Sequence, residues 1–188
     1  MVARFVLVHG LRTSHSMWRP QLDALAAADI PAITVDLPGH GDRVDASFTM
    51  DAAVEAIADG VAAAREAPGE PGPVILVGLS LGGFTSMETV GRHPHLVDGL
   101  VAIGCSTRPN RLGLAFYRNW SVALSGLLDQ GLVIDEMTTR IALGRQAAID
   151  MLSGGRGTAE SAAAVSAVAC VQPLSSGASA DGAGLPTW

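Results

Sequence analysis

Val74-Ile75-Leu76-Val77-Gly78-Leu79-Ser80-Leu81-Gly82-Gly83-Phe84 decides the fold: a buried-strand pattern runs directly into Gly-x-Ser-x-Gly and then into a helical one. A serine on so sharp a strand-to-helix turn needs glycine two positions before and two after it, because a Cβ there collides with the bent backbone. Gly78 and Gly82 meet that need. Such a turn lifts the Ser80 hydroxyl above the carboxyl ends of the strands and sets the Leu81 N–H at a helix N-terminus, facing developing negative charge. Ser80 is therefore the expected nucleophile, and Leu81 N–H the first expected oxyanion donor. The competing reading is a helix that opens after a parallel strand, with glycines serving only close packing.

Working outward, Val6-Leu7-Val8-His9-Gly10-Leu11 is a strand ending in His-Gly before a polar loop and the segment holding Trp18. Its place predicts the second oxyanion donor, the Leu11 backbone N–H, with His9 and Gly10 as supporting residues. The next segment, Ile33-Thr34-Val35-Asp36-Leu37-Pro38-Gly39-His40-Gly41-Asp42-Arg43, turns through a Pro-Gly corner. Asp36 and His40 have the chemistry of catalytic groups. A short carboxylate at a strand end more often bonds nearby backbone, so Asp36 is read as structural.

Apolar runs at 3–8, 32–36, 74–79 and 100–104 alternate with helical spacing at 17–28 (Trp18, Leu22, Leu25) and 50–67 (Val54, Ile57, Val61), with Thr49 as N-cap. The alternation predicts the α/β class: a parallel sheet with flanking helices, its strands buried on both faces. Pro68-Gly69-Glu70-Pro71-Gly72-Pro73 stops the second helix. From about 108 to 171 the strand pattern gives way to short amphipathic stretches, read as a helical cap in which Leu114, Phe116, Trp120 and Met137 line either a pocket or the cap core. Residues 172–188 read as a Ser/Ala/Gly-rich connection into the start of a strand, Leu185-Pro186-Thr187-Trp188.

Together His9-Gly10, Asp36 to Gly41 and Gly78 to Gly83 resemble the α/β-hydrolase superfamily, most of all its serine esterase and lipase-like members, over most of residues 1–107. The resemblance implies hydrolysis of a carboxylic ester or related small-molecule acyl substrate, with no cofactor and no metal. Cofactor-free haloperoxidase or C–C bond hydrolase chemistry shares the same segments, whereas a dehalogenase would want a carboxylate at position 80. In the family an acid and then a histidine follow the serine in chain order, yet no histidine follows His95. That gap predicts a C-terminally truncated fold, an exposed apolar edge after 100–104, and a non-catalytic scaffold as the rival to an active enzyme. His9 is the nearest of the five histidines by topology and is assigned mainly to shaping the loop. His93 and His95 fall at the far end of the helix after Ser80, more than about 10 Å away.

Composition narrows the class further. The chain has 188 residues, 48% of them hydrophobic and 16% charged, and its mean hydropathy of +0.34 favours a packed protein over a disordered one. A formal net charge of −6 without a basic cluster argues against nucleic acid as a partner. The apolar run at the N-terminus is too short for a secretory segment or a membrane span, which points to the cytoplasm. Cys105 and Cys170 are then expected as reduced thiols, and the sequon at Asn119 carries no consequence.

Overall fold

In the computed structural model of the chain, the structure describes residues 1–105, 119, 123, 140–141 and 144–152. The expectations for Cys170, Leu114, Phe116, Trp120, Met137 and residues 172–188 lie outside the described residues, as does most of the expected cap.

Four strands, β1 (Arg4–Val8), β2 (Ala32–Val35), β3 (Val74–Leu79) and β4 (Gly99–Ile103), form one parallel sheet in the order β2-β1-β3-β4. The registers Val8↔Val35 and Val8↔Gly78 bring the carboxyl ends of three strands level. Helix α1 (Arg19–Ala27) joins β1 to β2, α2 (Met50–Glu66) joins β2 to β3, and α3 (Leu81–Arg92) joins β3 to β4. A further helix, α4 (Arg145–Leu152), packs against the 3-10 turn His15–Trp18.

Alternation along the strands sorts the core into two layers. Val6, Val8, Val74 and Leu76 face Ala53, Ile57 and Val61 of α2 and Leu81 and Val90 of α3. Leu7 and Val77 face the other way, toward Trp18, Leu22 and Leu25. The expectation of strands buried on both faces fits β1 and β3, but not the outer strands. β2 is mostly half-buried, and on β4 Val101 and Ile103 are 45% and 43% exposed, because among the described residues no strand pairs with its outer side.

The expected helix at 17–28 is in fact two pieces. Pro20 lies in the first turn of α1, where its missing N–H does no harm, so the preceding residues close as a separate 3-10 turn. Thr49 caps α2, its hydroxyl accepting the Ala52 N–H at 3.1 Å. The other end of α2 is held by Arg4, buried at the start of β1. Its guanidinium donates to the carbonyls of Ala64 (2.6 Å), Arg65 (3.3 Å), Ala67 (2.7 Å), Gly69 (3.3 Å) and Glu70 (3.0 Å). A cation is well placed there, since the last carbonyls of a helix lack partners and carry its negative end.

Candidate functional site

β1 and β3 are neighbours whose onward connections leave in opposite directions, β1 toward β2 and β3 toward β4. In an open parallel sheet this reversal opens a crevice at the carboxyl ends of the two strands. Ser80 follows β3 directly and the loop Gly10–Ser14 follows β1, so the two segments singled out from the sequence flank one crevice. A Cβ built on Gly10 would lie 3.6 Å from the Leu79 carbonyl oxygen and 3.8 Å from the Ser80 Cβ. The loop therefore lies against the serine.

Ser80 is exposed and adopts φ 51°, ψ −111°, a conformation a side chain tolerates only where its surroundings impose it. The Ser80 N–H donates to the Ile103 carbonyl at 2.7 Å and the Ser80 carbonyl accepts the Phe84 N–H at 3.0 Å, tying the turn to β4 and to the first turn of α3. Close backbone approach does the rest. A Cβ on Gly78 would strike the Gly82 carbonyl, and one on Gly82 would strike the carbonyls of Val8 and His9. Leu81 opens α3, so its N–H is one of the amides that a helix start leaves without an internal partner.

The loop after β1 is held differently, by side chains. His9 is fully buried; its Nδ1 lies 2.7 Å from the Gly10 carbonyl, and its Nε2 accepts the Leu37 N–H at 3.0 Å. An amide can only donate, so the proton sits on Nδ1 and the ring is neutral. Burial, helped by the neighbouring His40 ring at 5.0 Å, pushes the His9 pKa down to about 4. Asp36 anchors the far end of the loop. One carboxylate oxygen accepts the His15 N–H at 2.7 Å, and the other accepts the His15 Nδ1–H at 2.7 Å and the Asp42 N–H at 2.9 Å. Burial alone would raise its pKa, but the Asp42 and His15 donors together hold it below the usual carboxylate value. A side chain on Gly41, at φ 51°, would run into this carboxylate.

All five histidines lie among the described residues. His9 has both ring nitrogens engaged, the His40 Nδ1–H donates to the Pro38 carbonyl at 3.0 Å, and His15 is bound to Asp36. His93 caps the end of α3 opposite Ser80, and His95 lies two residues beyond it. In this arrangement no imidazole is bonded to the serine. Donor atoms of His15, Asp36 and Asp42 converge within 4.8 Å, a spacing open to a cation. Both Asp36 oxygens already accept N–H donors, so the cluster works as a hydrogen-bonded joint between two loops.

Sequence reading missed Thr13, His15 and the Leu37 N–H as parts of this site. His15 and the Leu37 N–H find their partners 21 and 28 residues away, whereas Thr13 bonds the Gly10 carbonyl three residues back, a local bond that depends on how the loop after β1 turns.

The fold that carries this arrangement has counterparts among known proteins. The sequence matches the model of the alpha/beta hydrolase family over residues 5–188. The chain belongs to the alpha/beta hydrolase family. It is 36% identical over 99 residues to a pimeloyl-[acyl-carrier protein] methyl ester esterase of Neisseria meningitidis, a match covering 53% of this chain and 35% of that protein. The chain thus spans about a third of that relative's length. Two solved structures share the alpha/beta hydrolase fold. E-2-(acetamidomethylene)succinate hydrolase aligns at a TM-score of 0.65 with 19% identity, over 89% of this chain and 66% of that one. An esterase from Thermogutta terrifontis aligns at 0.63 with 22% identity, over 91% and 64%. Among the described residues no helix is long and apolar enough to cross a membrane.

Proposed function

We propose that this family member is an ester hydrolase with Ser80 as its nucleophile and the backbone N–H groups of Leu11 and Leu81 as its oxyanion hole. The observation that carries the reading is the strained, exposed Ser80 set against the Gly10–Leu11 loop. A carboxylic ester of a small molecule stands first among substrates, because the Neisseria relative is named for a methyl ester. The elements that carry this site all fall within residues 1–105.

The Ser80 oxygen attacks the ester carbonyl carbon, its proton passes to a base, and the carbonyl π electrons become an oxyanion that receives the two N–H groups. Collapse reforms the carbonyl and expels the alkoxide, which takes the proton. Water then repeats the sequence on the acyl-enzyme. A serine hydroxyl is a weak nucleophile without an imidazole in reach, and the five histidines are engaged or remote. That engagement also favours a second reading, in which these 188 residues form a scaffold that binds acyl ligands without turnover.

Fluorophosphonate labelling followed by mass spectrometry, together with a p-nitrophenyl acetate burst assay, separates the two. The expected result is one adduct, on Ser80, lost in Ser80→Ala. Turnover should be confined to the residual level of about 10³-fold over water that an oxyanion hole sustains without a complete triad. Folded protein that gives neither adduct nor burst would refute the enzyme reading and leave the scaffold.

A further inference from the structure

We infer that the Thr13 hydroxyl is a positioning group for the oxyanion hole, acting through the single peptide plane that joins Gly10 to Leu11. The inference deepens the proposed function and rests on it.

In a trans peptide the carbonyl oxygen and the following N–H point in opposite directions, so whatever fixes the one aims the other. No cis bond is present in the described chain. The Gly10 carbonyl receives two donors, His9 Nδ1–H at 2.7 Å and the Thr13 hydroxyl at 2.8 Å, which fill both lone pairs. The near side of the same residue is held as well, the Gly10 N–H lying 3.4 Å from the Met17 sulfur. That thioether also lies 3.3 Å from the Thr13 oxygen. Thr13 and Met17 thus bracket Gly10, while Leu79 and Ser80 close off its open side. Between these anchors the Gly10–Leu11 plane has little freedom to rotate. The Leu11 N–H, aimed away from the Gly10 carbonyl, takes no partner among the described residues.

Of the two carbonyl anchors, Thr13 is the one that can be removed cleanly. His9 also carries the Leu37 N–H, so changing it disturbs two loops at once. Thr13 is 7% exposed, so water has little access to replace its hydroxyl, and valine keeps its shape while deleting the donor. Losing it frees the peptide plane to rock, so the Leu11 N–H meets the developing oxyanion in only part of the population. The deficit falls on the chemical step and not on ligand binding.

The test measures fluorophosphonate modification of Ser80 in the full chain, resolving maximal rate from half-saturating concentration, for wild type, Thr13→Val, Thr13→Ser and Ser80→Ala. Thermal melts verify folding. Thr13→Val should lower the maximal rate by about tenfold, less than the hundredfold or more seen when a donor is deleted outright, and leave the half-saturating concentration unchanged. Thr13→Ser should restore the rate to within about twofold. Thr13→Ala, less demanding sterically, carries the same comparison should Thr13→Val not fold. A Ser80 adduct formed at the wild-type rate in the hydroxyl-less variant, or no rescue by serine, overturns the positioning role alone. An adduct that survives Ser80→Ala, or its absence from folded wild type, overturns the nucleophile reading and this inference with it.

Discussion

The two turns that meet at the mouth of the crevice are built on opposite principles. The turn after β3 is held by what is missing: Gly78 and Gly82 let backbone touch backbone, and Ser80 takes a disfavoured φ of 51° because nothing around it can move aside. The loop after β1 is held by what is added: a buried neutral imidazole, a threonine hydroxyl and a carboxylate accepting three N–H groups. Steric exclusion fixes a position without any titratable group. A hydrogen-bonded hold can be loosened one donor at a time, and by protons. The nucleophile turn should therefore fail abruptly and indifferently to pH, and the donor loop gradually and with pH.

The largest effect is expected where exclusion is breached. In Gly82→Ala the new methyl meets the Val8 and His9 carbonyls, which belong to a buried strand end and cannot retreat without opening the sheet. A loss of about 4 kcal/mol, with much protein unfolded, should appear in urea denaturation, at the upper end of what overpacking does. A variant within about 1 kcal/mol of wild type would show that the turn has slack, and the contrast between the loops would vanish.

That difference in construction also explains what the sequence disclosed. Exclusion leaves a local trace, since glycines at 78 and 82 around Ser80 and an apolar strand before them can be read from one short stretch. The same holds for β1 to β4 and for Thr49 at the head of α2, where local propensity and tertiary structure agree. The hydrogen-bonded hold leaves less: Thr13 bonds Gly10 only three residues back, but Leu37 reaches His9 across 28 residues and His15 reaches Asp36 across 21, pairs that exist only once β1 and β2 lie side by side. Arg4 stands within the apolar run at 3–8, and the carbonyls of Ala64 and Ala67 that receive its guanidinium lie 60 and 63 residues further along the chain. Pro20 in the first turn of α1 accounts for the division of the helix expected at 17–28, and Trp18 just before it is buried with Leu7 and Val77.

Next in size is the response of the donor loop to protons. His9 has a pKa of about 4 folded, against 6.5 for a free imidazole, because burial penalises the cation. Between those values the unfolded chain binds a proton that the folded chain does not, so stability falls as pH drops from 6.5 toward 4 and is level above 6.5 as far as this group is concerned. The loss attributable to His9 is on the order of 3 kcal/mol over that window. Urea midpoints at pH 7 and pH 4.5 should separate widely in wild type and much less in His9→Gln. Equal separations would show that His9 is not the group that senses the proton.

The smallest effect, about 2 kcal/mol, is expected in Asp36→Asn, and its location matters more than its size. An amide keeps one acceptor oxygen and turns an NH₂ toward N–H donors, so the joint among His15, Asp42 and Asp36 loses part of its bonding with no change of shape. The depressed pKa of Asp36 adds stability that is present above 3.8, its ordinary value, and is lost as pH falls below that toward the folded value. Asp36→Asn should therefore flatten the most acidic part of the profile and, because the Asp36 charge 3.6 Å from His9 Nε2 raises the His9 pKa, extend the window of His9 slightly to lower pH. Amide hydrogen exchange then shows where the joint gave way. Protection should fall at His15 and Asp42, whose N–H groups bond the carboxylate, and persist at Ser80, whose N–H bonds the Ile103 carbonyl on the other side of the crevice. Equal loss at Ser80 would mean that the two turns open as one unit, so that exclusion at one of them depends on the bonds at the other.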